Sequence, residues 1–279
     1  MSRVYDALQQ CLPDQVSPDL GQDGGSAALF PEQFGDSAWN PNAAPMVHTN
    51  VATHARLPAL FETQSLASEQ FRLLATRLQQ LQKSRSLKSV LLTSSGENEG
   101  KSLSILNLAV SLAQGGQQKV LVVDADLRKS GLSVTLKVDG RPGLRDWYRA
   151  NHSIADIICR VSSLNVWALP AGQAPVDSLE LLNSPRVPDL LASLNAVFDW
   201  VLIDSPPLLP LADAEIISRT CDGTILVVRR DKSPKSALKQ AMERVVPSKL
   251  VGFLLNDFPT VGDYRYAKYV DERSDVSGR

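Results

Sequence analysis

The sequence predicts an α/β fold: a mostly parallel sheet with helices on both faces, preceded by a flexible N-terminal arm. Three observations predict it. Near-continuous aliphatic runs end in polar residues, segments of helical period alternate with them, and one glycine-containing turn at 94–102 joins a run to a helix. Aliphatic strands without polar alternation are the mark of a parallel sheet buried on both faces.

In chain order, residues 2–10 read as a short helix that is marginal alone. From Cys11 to about Ser65 there are six prolines, six acidic residues and one basic residue, Arg56, with no sustained period. That composition reads as a flexible arm, with Phe30, Phe34 and Trp39 as scattered apolar points. Residues 1–65 are therefore set apart from a core domain at 66–260 and a tail at 261–279. Leu66, Phe71, Leu74, Leu78 and Leu81 form one stripe, predicting a helix over 66–83, with Glu69 and Arg72 neighbours on another face.

Strands are expected at 89–94, 120–126, 164–169, 200–204, 223–228 and 251–256, and helices after Lys101, over 143–160, over 179–194 and over 236–245. Strand ends on one side of such a sheet share a crevice, the usual place for a ligand.

Composition limits the function. A formal net charge of −1 offers no electrostatic case for nucleic acid. Cys11, Cys159 and Cys221 are widely spaced and read as free thiols of a reducing compartment, and His48, His54 and His152 form no ligand pattern. The N-terminus lacks the apolar core of a secretory signal, and Ser102–Gln118 is too interrupted to span a membrane. A cytoplasmic protein is expected, with any membrane association supplied by a partner.

The segment Ser94-Ser95-Gly96-Glu97-Asn98-Glu99-Gly100-Lys101-Ser102, followed by Leu103, carries the chemistry. Backbone N–H groups of such a loop and the positive end of the next helix face a phosphate chain. Lys101 supplies charge for the β- and γ-phosphates and Ser102 a hydroxyl for Mg²⁺. The match to G-x-x-x-x-G-K-[ST] is imperfect, since Ser95 stands at the first glycine; Asn98 is a residue that tolerates a left-handed backbone. The reading is a P-loop NTPase. Asp124 and Asp126 leave one strand roughly 6–7 Å apart while the chain stays extended, and Asp204 ends another. Phosphoryl transfer uses this set: a cation for phosphate oxygens, carboxylates for a metal, and one for a hydroxyl proton.

With these motifs together the chain resembles the bacterial tyrosine kinases, P-loop autokinases of capsule and exopolysaccharide production, in their cytoplasmic CpsD/CapB-like form. Ser94 to Ser102 resembles the family's first nucleotide motif, and Val122 to Arg128, with D-x-D-x-R, its additional Walker motif. Trp200 to Pro207 followed by Asp213-Ala214 resembles its Walker B region. Tyr264, Tyr266 and Tyr269 resemble a sparse tyrosine cluster. The resemblance spans about 66–270.

It implies ATP and Mg²⁺ as cofactors, with Lys101 on the phosphates, Ser102, Asp126 and Asp204 at the metal, Asp124 and Asp126 activating the attacking tyrosine, and Asn256 near the base. Residues Gly96 to Leu103 would cradle the nucleotide. The tail tyrosines would be acceptors, presented to a neighbouring subunit. The family's E-x-x-R-x-x-R, a self-association motif, is met by Glu69 and Arg72, but Ala75 replaces its last arginine. Glu97 and Asn98 replace the usual Pro-Gly pair. A membrane polysaccharide co-polymerase is the implied activator, recruiting the chain to the inner face of the plasma membrane. Two other readings remain open. One is a ParA/MinD-like ATPase switch, although Gly96 stands where that class carries its signature lysine. The other is a catalytically weak nucleotide-binding regulator that docks on the co-polymerase.

Overall fold

In the computed structural model, residues 39–49, 57–150 and 152–257 are described. Eight strands form one sheet in the order β1-β4-β5-β3-β6-β2-β7-β8. They are β1 (Met46–Val47), β2 (Ser89–Ser94), β3 (Val120–Asp124), β4 (Cys159–Val161), β5 (Val166–Leu169), β6 (Trp200–Asp204), β7 (Gly223–Arg229) and β8 (Leu250–Asn256). Every pairing is parallel except β4 with β5.

Alternate residues of the central strands serve two cores, as the pleat requires. Val90, Leu92, Val120, Val122 and Leu202 pack with helices α2 (Leu66–Ser84) and α3 (Lys101–Ala113); Leu91, Leu121, Val123, Val201 and Ile203 pack on the other face with α5 (Leu144–Ala150) and α8 (Arg186–Val197). The remaining described α-helices are α1 (Pro58–Phe61), α4 (Gly131–Thr135), α6 (Ile154–Ile157), α7 (Ser178–Leu182), α9 (Asp213–Thr220) and α10 (Lys235–Arg244).

Two expectations are corrected. The span 143–160 is not one helix. Ser153 caps α6 in a reciprocal box with Asp156, and Cys159–Val161 leaves it as a strand antiparallel to β5. A cap satisfies the first free N–H groups of a new helix and so restarts the chain direction.

The second correction concerns the arm. Its described parts, 39–49 and 57–65, are packed on the domain. Trp39 meets Phe198 with ring centroids 6.1 Å apart, the Trp167 indole N–H donates to the Pro41 carbonyl (2.7 Å), and β1 extends the sheet beside β4. Leu57 is buried at the base of α1. Proline-rich composition hid this, because a few apolar anchors and backbone pairings suffice to hold a segment that has no period of its own. The expected helix at 2–10 lies outside the described residues, as do Phe30, Phe34 and all but the first residue after Asn256.

Candidate active site

The segment from Ser94 to Ser102 runs from β2 into α3. The turn needs two left-handed residues, Asn98 (φ 57°) and Gly100 (φ 94°). Asparagine accepts that backbone at modest cost, whereas at Gly100 a Cβ would also lie 2.1 Å from the Asn256 amide nitrogen. Asn256, at the end of β8, donates from Nδ2 to the Glu99 carbonyl (2.9 Å), so the last strand is pinned to the loop.

Lys101 and Ser102 open α3 beside an open cavity of about 840 Å³, which Glu97, Asn98, Asp126 and Lys129 also line. Lys101 is buried, and its ammonium donates to Ser94 Oγ (3.0 Å). Burial pulls its pKa below the ordinary lysine value, opposed by the carboxylates of Asp204, Asp126, Glu99 and Glu97. Ser102 Oγ donates to Asp204 Oδ2 (2.5 Å). Asp124 and Asp204 are directly paired across β3 and β6. Burial first, and then its charged neighbour Asp124, pushes Asp204 up to about 8, against the Ser102 hydrogen bond and Lys101. Asp124 is pushed up to about 6, mainly by burial, against hydrogen bonds from the Ser133 amide and hydroxyl (2.7 and 2.6 Å). Its other oxygen, Oδ1, is buried without a hydrogen-bond partner.

The expected residues therefore separate by depth. Lys101, Ser102, Leu103, Glu97, Asn98, Gly100 and Asp126 line the cavity, while Asp204 and Asp124 lie behind it. Glu99 turns away. Its buried carboxylate accepts from Ser95 Oγ (2.8 Å), the Gly96 amide (2.7 Å) and the Ser233 hydroxyl, bracing the loop against the turn after β7.

Three lining residues escaped the sequence reading, Lys129, Gly131 and Arg229, and Pro207 at the end of the Walker-B-like stretch lines the cavity as well. Lys129 pairs with Glu97 across the mouth (2.6 Å), and Arg229 donates to the Asn98 carbonyl (3.2 Å) while pairing with Asp257 (2.9 Å). Lys129 directly follows D-x-D-x-R and had that signal. Arg229 had none, since only the adjacency of β7 and β2 brings it to the loop. Arg128 pairs with buried Asp213 at the start of α9 (3.3 Å), tying together two segments of the motif set.

Whether these residues suit Mg²⁺ follows from the donor set. Among the described residues no group of three acidic, cysteine or histidine side chains is arranged to hold a metal ion. Mg²⁺ does not need such a cage, because it keeps waters and takes one or two protein ligands beside substrate phosphates. A serine hydroxyl, two adjacent buried carboxylates and an orphaned carboxylate oxygen fit that mode. The tail tyrosines Tyr264, Tyr266 and Tyr269 lie outside the described residues.

A strand-loop-helix phosphate cradle at the carboxyl ends of a parallel sheet, with aspartates ending the two strands that follow in space, defines a P-loop nucleotide-binding protein. A family model described as "Cellulose biosynthesis protein BcsQ" matches residues 90–265. The tyrosine-protein kinase YwqD of Bacillus subtilis (strain 168) is 35% identical over 200 residues, covering 71% of this chain and 84% of YwqD. The tyrosine-protein kinase CpsD of Streptococcus agalactiae is 35% identical over 184 residues, 63% of this chain and 80% of CpsD. The solved BceF tyrosine kinase domain is 31% identical with a TM-score of 0.66, over 73% of this chain and 82% of that domain. The chain belongs to the BcsQ family of P-loop proteins and, within that class, to the bacterial tyrosine kinases.

Proposed function

We propose that the chain is an ATP- and Mg²⁺-dependent protein-tyrosine autokinase that regulates exopolysaccharide or capsule polymerisation and export. The observation that carries this reading is the meeting of Lys101, Ser102 and Asp126 on one cavity backed by Asp124 and Asp204, in a chain of the tyrosine-kinase family. The acceptors are Tyr264, Tyr266 and Tyr269, phosphorylated in a neighbouring copy. A membrane polysaccharide co-polymerase recruits the chain from the cytoplasm to the inner face of the plasma membrane. Among the described residues no helix is long and apolar enough to cross a membrane.

Lys101 leaves Ser94 Oγ for the β- and γ-phosphate oxygens, and the loop residues that line the cavity, Glu97, Asn98 and Gly100 to Leu103, hold the rest of the phosphate chain through their backbone amides. Ser102, Asp126 and Asp204 would hold Mg²⁺, which when bound would supply charge neutralisation for the transferred phosphoryl group. The tyrosine hydroxyl oxygen bonds to the γ-phosphorus, the bond to the β-γ bridging oxygen breaks, and ADP leaves. The phenolic proton passes to the carboxylate pair, with Asp126 on the cavity wall and Asp124 behind it.

The experiment is anti-phosphotyrosine detection on the purified chain with Mg-ATP. Lys101→Met abolishes the signal while ATP-independent folding is kept, and Tyr264→Phe, Tyr266→Phe and Tyr269→Phe together remove most of it without loss of ATP binding. Phosphotyrosine that persists in Lys101→Met defeats the site. Hydrolysis without phosphotyrosine in the parent chain indicates the switch-ATPase reading instead.

A further inference from the structure

The phosphate cavity carries a carboxylate that opposes an anionic ligand. Glu97 lines it beside Lys101, and an ionised carboxylate there repels a polyphosphate. The hydrogen bond and charge of Lys129, and after them the charge of Lys101, hold the Glu97 carboxyl below the ordinary glutamate value. Lys129 Nζ, at 2.6 Å, is its partner.

Among the described residues Lys101, Lys129 and Arg229 are the cations on this wall. Lys101 is buried on Ser94 Oγ, and Arg229 is shared between the Asn98 carbonyl and Asp257. Lys129 and Glu97 are both half-exposed, so either side chain can swing without stranding a buried charge. An exposed ion pair contributes little, whereas an ammonium on a phosphate oxygen makes a strong charge-assisted hydrogen bond. A phosphate therefore displaces Glu97 from Lys129. The turn also presents Lys129 in a set place. Its amide donates to Asp126 Oδ1 and to the Asp126 carbonyl (3.2 and 3.3 Å), and Ser130 follows with a left-handed backbone (φ 47°). Arg128, its neighbour, is drawn off to Asp213 and does not line the cavity.

Sheet order decides which phosphate Lys129 meets. β7 and β8 lie on one side of β2, and β6 and β3 on the other. An adjoining lobe of about 650 Å³, open to solvent, has Asn256 of β8 and Phe71 on its wall and shares Gly100, Leu103 and Arg229 with the phosphate cavity. An aromatic wall with a fixed amide suits a flat heteroaromatic base. Lys129, Glu97 and Asp126 line the phosphate cavity and not this lobe, and Asp126 and Lys129 come from the turn after β3. A nucleotide with its base beside β8 and its phosphates along the loop thus ends its phosphate chain at Lys129.

We propose that Lys129 is a second cation for the γ-phosphate, beside Lys101, and the one that distinguishes ATP from ADP, with Glu97 as its counter-ion until the nucleotide arrives. The assignment rests on the nucleotide reading above. On binding, the Lys129 ammonium leaves Glu97 for a γ-phosphate oxygen, Glu97 turns to solvent, and no proton is transferred.

The test is calorimetric titration of the full chain, with Mg²⁺ present, using ADP and the non-hydrolysable β,γ-imido analogue of ATP as probes. Lys129→Gln weakens the analogue about tenfold and ADP by less than about twofold. Lys129→Arg keeps most of the parent's ratio of the two affinities. Glu97→Gln, which releases the lysine, tightens the analogue about threefold and leaves ADP nearly unchanged. ADP binding serves in each variant as the control for an intact fold. An unchanged ratio in Lys129→Gln overturns the proposal, as does equal loss of both probes. Weaker analogue binding in Glu97→Gln overturns it too, since the pair is then a brace of the loop and not a counter-ion to be displaced. A parent chain that binds neither probe defeats the nucleotide reading itself, and the role of Lys129 with it.

Discussion

Gly100 shows how a single residue couples backbone shape to the site. Its φ of 94° is strained for any L side chain, and its missing Cβ leaves room for Asn256 Nδ2, which in turn donates to the Glu99 carbonyl. Gly100→Ala is expected to cost about 1–3 kcal/mol of stability and to weaken nucleotide more than it weakens folding, because the displaced group anchors β8 to the phosphate loop. Thermal melts with and without ADP separate the two effects; an equal shift in both would remove Asn256 from the site. Glu99 is the residue whose role changed most. Read as a nucleotide contact, it faces inward as a brace between Ser95, Gly96 and Ser233. With Ser95 and Asn98 at positions where glycine is expected, a carboxylate accepting the Gly96 amide helps keep the loop in shape.

At the scale of elements, the β1 edge is the instructive case. Two residues of strand gain their place from the Arg160 and Ser162 amides, which donate to Pro45 and Val47 carbonyls (2.9 and 3.2 Å), and from Trp39 against Phe198. Trp39→Ala is expected to speed hydrogen exchange at the Arg160 and Ser162 amides while β3 keeps its protection, since local opening needs only the contacts of the segment that opens. Exchange measured by mass spectrometry or NMR decides this, and unchanged rates at both amides would show that the backbone pairing holds alone. The central strands were legible because each is a continuous aliphatic run. β4 was not, since three residues after a short capped helix carry no period, and its strand character comes from β5 and β1 on either side.

For the molecule as a whole, the buried aspartate pair links the site to stability. Asp204 is pushed up to about 8 and Asp124 to about 6, both well above the ordinary aspartate value of 3.8. The folded chain therefore binds protons that the unfolded chain has released. The stabilisation is fully present below about pH 4 and is lost as pH rises through about 6 and then about 8. Unliganded stability contributed by this pair is expected to fall by more than about 1 kcal/mol between pH 5 and pH 8, with Asp204→Asn flattening the decline. Urea titrations at three pH values measure it. A slope unchanged by the substitution would mean that Asp204 is already ionised in the folded chain. The cause is that two adjacent carboxylates in low dielectric repel and retain a proton.

The sequence by itself determined the class of sheet, the strand-loop-helix unit and the aspartates at strand ends, because aliphatic runs, glycine and a lysine-serine pair act through local geometry and solvation. Tertiary structure alone decided which of those residues face the cavity, since Asp126 on the wall and Asp124 behind it differ by two positions in one chain segment. It also decided that Arg229 and Asn256 meet the loop, because strand order brings together residues more than a hundred positions apart. Arg72 belongs to the same category. Its spacing from Glu69 is written in the sequence, but the acceptors that occupy its fork come from a turn nine residues before it and a helix end 42 residues after it.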